Sequence, residues 1–108
     1  MTKMKSPPQF LVNLRFTGRF TPGEGPTGPD FRAELDLGIP GMLNMVYVEL
    51  ELPPVSHGEA NASVWLLAPE FQAGRLYEGM PVKAFGRTEL IGEGRILSVV
   101  DQALRLGA

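Results

Sequence analysis

The chain has 108 residues, 44% of them apolar, with 10 basic and 12 acidic side chains and a formal net charge of -2. Such a length supports one domain around one core. The absence of cysteine excludes a disulfide framework, thiolate catalysis and a cysteine-rich zinc site, and the acid excess leaves no whole-molecule field to steer nucleic acid inward.

No apolar run nears the roughly 18 residues of a membrane span, and residues 1–8 lack the apolar core of a signal peptide. The expectation is a cytoplasmic protein that engages no membrane. Thirteen glycines and ten prolines punctuate the chain too densely for long helices, but suit short strands joined by turns. Residues 1–8, ending in Pro7-Pro8, read as a flexible leader.

Residues 10–20 alternate cleanly. Phe10, Val12, Leu14, Phe16, Gly18 and Phe20 share one face, while Asn13, Arg15, Thr17 and Arg19 share the other. Period two is the mark of a half-buried strand, whose successive side chains point to opposite faces. Residues 21–30 carry three prolines and three glycines and read as a loop. Residues 31–37 turn Phe31, Ala33, Leu35 and Leu37 inward, and residues 42–52 do the same with Val46, Val48, Leu50 and Leu52.

Pro53-Pro54 ends that run, and Ser56-His57-Gly58-Glu59 reads as a turn. Residues 62–68 are apolar on both faces, as a strand buried on both sides would be, and Trp65 reads as a core residue. Residues 69–80 are irregular. Residues 81–85 and 90–100 form a hairpin around Gly86-Arg87-Thr88, and residues 101–108 form a turn of helix or fray. Six or so strands without a helix mean an all-β fold. Closure into a small antiparallel β-barrel over residues 9–101, followed by a tail at 102–108, removes exposed strand edges.

Three pieces of the chain, taken in order, resemble the C-terminal (third) β-barrel of bacterial elongation factor Tu and short stand-alone chains that consist of little else. Gly18-Arg19-Phe20-Thr21-Pro22, then Pro29-Asp30-Phe31-Arg32, resembles that family's Gly-Arg-x-Thr-Pro and the segment after it. His57-Gly58-Glu59 leads into an apolar strand ending Ala68-Pro69-Glu70-Phe71, with Gly74-Arg75-Leu76-Tyr77-Glu78-Gly79-Met80 beyond it. Gly92-Glu93-Gly94 is similar to the Gly-x-Gly that opens the family's last strand.

The resemblance implies a non-enzymatic module that contacts a macromolecule through loops, with a link to translation. It marks Arg19, Thr21, Arg87 and Arg95 as candidate partner-binding residues. The chain departs from the family where tRNA would be held. Thr27-Gly28 replaces Tyr-Arg, and Asp30 replaces Gln, which removes a cation and sets a negative charge against phosphate. A protein partner therefore ranks above RNA, whose binding would be weakened, and no DNA is expected.

An enzyme or small-ligand carrier ranks last. The single histidine, His57, sits in a turn, and without cysteine few nucleophile–base pairs remain. Glu49 and Glu51, two apart on a strand, read as a solvated outer face, and Arg15 as a solubility residue paired with an acid on the next strand. No catalytic residue, metal ligand or cofactor is expected.

Overall fold

The computed structural model describes residues 6–17, 29–52, 54–55, 57–86 and 89–107. Six strands are present: β1 (Phe10–Phe16), β2 (Asp30–Asp36), β3 (Asn44–Glu49), β4 (Glu59–Leu66), β5 (Pro81–Gly86) and β6 (Glu89–Val99). They close into an antiparallel barrel in the order β1-β4-β3-β2-β5-β6, with β6 returning to β1. Two short 3-10 turns, η1 (Pro69–Gln72) and η2 (Gln102–Leu104), lie outside the sheet.

The alternation read in β1 is the observed one: Phe10, Val12, Leu14 and Phe16 are all buried. Ala33 and Leu35 of β2, Val46 and Val48 of β3, and Ala62, Val64 and Leu66 of β4 meet them in one cluster. Phe31 packs against its margin. Burying such side chains contributes about 1.5–3 kcal/mol each, which makes this shared interior the main favourable term of folding. Gly18 and Phe20, which extend the pattern, lie outside the described residues.

Three apolar positions depart from their expected places. Leu52 lies beyond the end of β3 and is 75% exposed, because the strand stops at Glu49 and the period no longer holds. Leu67, one residue past β4, is 57% exposed. Trp65 is buried but on the outer wall, not in the core cluster. Its neighbours Val64 and Leu66 take the inward positions, and the indole is covered from outside: Trp65 Nε1 donates to the Ser6 carbonyl at 3.1 Å, and its ring lies 5.9 Å from that of Tyr47.

Closure rests on β6. It carries two bulges, since the register shifts between Ala84 and Phe85 against β5 and between Leu11 and Val12 against β1. Bulges sharpen the twist of a strand and bend it. Between them lie Gly92 and Gly94, opposite Phe16 and Leu14. A Cβ at Gly94 would sit 1.7 Å from the Asn13 carbonyl oxygen, and one at Gly92 would sit 3.2 Å from that of Arg15. The glycines of Gly92-Glu93-Gly94 are thus required by the chain's own β1 backbone.

One end of the barrel is plugged by a buried polar network. Gln72, fully buried on η1, donates from Nε2 to Asn44 Oδ1 at 2.9 Å, and Asn44 Nδ2 donates to the Leu35 carbonyl at 3.1 Å. Arg75 Nη1 donates to Gln72 Oε1 and, at 3.3 Å, to the Leu37 carbonyl. The tail joins this end. Leu104 enters the core, and a parallel bridge joins Leu76 to Arg105, so residues 101–107 form a docked turn.

Two outcomes follow for stability. Gly94→Ala is expected to lose about 3 kcal/mol or more in urea unfolding, since backbone on both sides prevents relief of the overlap; Gly92→Ala will lose less. Gln72→Leu is expected to lose about 1–3 kcal/mol, because it leaves the Asn44 amide and the Arg75 guanidinium short of a partner. Urea unfolding of the three variants beside the parent checks both.

Candidate functional site

The barrel presents two contrasting outer walls. Along β5, β6, β1 and β4, charges of both signs interleave. One row sets Lys83 against Glu93, Glu93 against Arg15 and Arg15 against Glu59; the next sets Pro81 against Arg95, Arg95 against Asn13 and Asn13 against Asn61. Arg15 Nη2 lies 3.4 Å from Glu59 Oε2, and Asn13 Nδ2 donates to Asn61 Oδ1 at 3.0 Å. The expected pairing of Arg15 with an acid on a neighbouring strand is present. Both partners are exposed, so it contributes no more than about 1 kcal/mol.

Of the four candidate partner-binding residues, Arg95 is described and Arg19, Thr21 and Arg87 lie outside the described residues. Arg95 stands within β6, not on a loop. Its Nη1 donates to the Gly79 carbonyl at 2.9 Å, bracing the turn at residues 77–80, where Met80 N donates to the Tyr77 carbonyl and Gly79 has a φ of +86°. It also lies six residues along β6 from Glu89, where the β5–β6 hairpin ends. At about 3.3 Å per residue, roughly 20 Å separates it from that hairpin. The chain therefore does not gather Arg95 with the hairpin into one cluster.

The wall of β2 and β3 differs. Asp30, Glu34 and Asp36 of β2, Glu49 of β3 and Glu51 just beyond it give five carboxylates, against Arg32 on the same strands. Spacing along the sequence pairs Glu49 with Glu51; the register adds Asp30, which stands opposite Glu49. The Tyr47 hydroxyl donates to Asp30 Oδ2 at 3.1 Å. Desolvation raises the Tyr47 pKa above the ordinary phenol value, and the Asp30 hydrogen bond, the Asp30 charge and the Glu49 charge push the same way.

Beside this acidic wall lies exposed apolar surface. Met45 is 52% exposed, and Leu43, Leu67 and Phe71 are similarly open. Leu67 N donates to the Met45 carbonyl at 3.0 Å, which sets Leu67, just past the end of β4, beside Met45 of β3. Period two already sets Met45 on the outer face with Glu49, whereas Leu67 is hidden in a run of residues that is apolar on both faces.

His57 is exposed in a turn closed by Gly58 N donating to the Val55 carbonyl at 2.8 Å, and its backbone adopts a φ of +62°. The cleft beside this turn is lined by Phe16, Glu51, Leu52, Val55 and Glu59. Among the described residues, the buried polar side chains are Asn44 and Gln72, and no group of three or more His, Cys, Asp or Glu side chains is placed to hold a metal ion. Likewise among them, no helix is long and apolar enough to cross a membrane. No protein-family model and no curated protein sequence matches the chain.

A raised phenol pKa fixes the sign of one pH effect. The folded state favours neutral Tyr47, so the stability tied to it is complete below the unfolded phenol value and is lost as pH rises through the folded one. Tyr47→Phe is expected to cost about 0.5–1.5 kcal/mol at neutral pH through loss of the Asp30 bond. It will also flatten the alkaline fall in stability, read by urea unfolding at a series of pH values.

Proposed function

We propose that this chain is a non-enzymatic binding module whose partner is a macromolecule, a protein in preference to RNA. The observation that carries the reading is the outer wall itself: carboxylates concentrated on β2 and β3 beside open Met45 and Leu67. Phosphate would be repelled there, since nucleic-acid affinity comes chiefly from neutralised phosphates and released counterions. Exposed apolar side chains rimmed by charge are what a protein interface uses.

The resemblance to the third barrel of elongation factor Tu supports a finer version, in which the partner belongs to translation and the chain works in the cytoplasm. A closed six-stranded barrel is compatible with that ancestry. Arg19, Thr21 and Arg87 stay within the proposal as partner-contacting residues of the chain; Arg95 enters it with one of its five N–H donors already committed to Gly79.

The test uses the intact chain as bait in a lysate. Recovery of a specific translation-linked protein, resistant to nuclease, is the expected result, and recovery of nothing specific overturns the reading. A parallel titration with bulk tRNA at low salt is expected to show no saturable change. Saturation that falls steeply with added salt would transfer the assignment to RNA.

A further inference from the structure

The upper row of the β2–β3–β4 wall has a chemistry that the reading above leaves without an assigned ligand. Glu34 is the register partner of Met45, and Met45 is bonded through its carbonyl to the Leu67 amide. Phe71 lies exposed on η1 with Glu70 beside it, and η1 is tied to the strand bearing Met45 by the Gln72–Asn44 hydrogen bond. Exposed apolar side chains from β3, the residue after β4 and η1 thus gather at one end of the barrel, with Glu34 and Glu70 beside them.

We infer that this patch docks a cationic amphipathic segment of a partner protein. Its apolar side chains cover Met45, Leu67 and Phe71, while lysine or arginine side chains meet Glu34 and Glu70. The inference rests on the protein-binding reading and adds the surface and the partner's chemistry. Charge complementarity selects the occupant, since Glu34 and Glu70 flank these side chains and the neighbouring wall carries five carboxylates against Arg32 and against Lys83, which stands opposite Asp36. A second copy docking on the same face would set acid against acid, as a twofold interface joins a patch to itself. Strand addition is closed to the partner at β3 and β4, because both are hydrogen-bonded on each side within the barrel. Recognition must come from side chains.

The test titrates the intact chain with a blocked synthetic peptide of alternating lysine and leucine, beside lysine–serine and glutamate–leucine controls. Trp65 is the single tryptophan and lies two residues before Leu67, opposite Tyr47 on the strand that bears Met45, so its emission reports on these side chains, and backbone amide shifts locate the contact. Saturable binding of the lysine–leucine peptide is expected, with shifts centred on β2, β3, β4 and η1. It should weaken about tenfold in Met45→Ser/Leu67→Ser and in Glu34→Lys/Glu70→Lys. Unchanged melting temperatures show that these surface variants still fold. Absent saturation, equal binding of the lysine–serine peptide, or shifts centred on the β6–β1 wall overturns the inference.

The lysate experiment separates the two levels. If the parent retains a protein and both double variants retain it equally, the docking patch is wrong and the protein-binding reading stands. If the parent retains none, that reading falls, and the peptide titration alone decides the patch.

Discussion

Where Asn13 passes Gly94, the two strands that seal the barrel lie so close that even a methyl group has no room. Everything else in the fold depends on that approach. Bulges on either side bend β6 toward β1, and Gly92 and Gly94 let the backbone follow. With the seam shut, no strand edge is offered along the wall, and Phe10, Val12, Leu14 and Phe16 gain a common interior with residues from every other strand. An open sheet would leave the same four side chains half in water and an unpaired row of amides on β1.

The two ends of the barrel have different physical characters. At the end that holds η1 and η2, Asn44, Gln72 and Arg75 satisfy one another and two backbone carbonyls, so polar groups are buried without an unmet donor or acceptor. Leu76, Met80 and Leu104 complete the seal. Buried amide networks of this kind specify one arrangement, because each partner is expensive to leave unpaired. The opposite end bears the β3–β4 turn with His57 and the β5–β6 hairpin. The rigid end therefore anchors Glu34 and Met45 and the exposed apolar side chains beside them, while Asp30 and Glu49 lie toward the His57 end.

The sequence made the inner face of the barrel legible to a large degree. Period two identifies which side of β1, β2 and β3 is buried, and glycine and proline mark where strands stop. It could not tell which apolar residues lie past a strand's end. Leu52 and Leu67 continue a hydrophobic run by composition but lie past the ends of β3 and β4, where both stay exposed. Trp65 shows the same limit from the other side. Its burial depends on residues near Ser6 and on Tyr47 across the sheet, contacts that no local pattern encodes. Gly92-Glu93-Gly94 was visible as a motif, while its reason, the closeness of β1, is tertiary. For the candidate site, the residue types were legible and their grouping was not: Arg95 braces a turn, and Asp30 joins Glu49 only through register.

The strand order carries a consequence for synthesis. β1 pairs with β4 and β6, both made well after it, whereas β2 with β3, β3 with β4 and β5 with β6 are neighbours in the chain. A ribosome releasing this polypeptide therefore holds Phe10–Phe16 without its first flanking strand until Leu66 has emerged, and without its second until Val99 has. Long-range pairing of that kind slows folding and lengthens the exposure of sticky intermediates. Four apolar side chains in alternation on the nascent chain stay open to wrong contacts over that interval, and the arrival of β6 is what ends it.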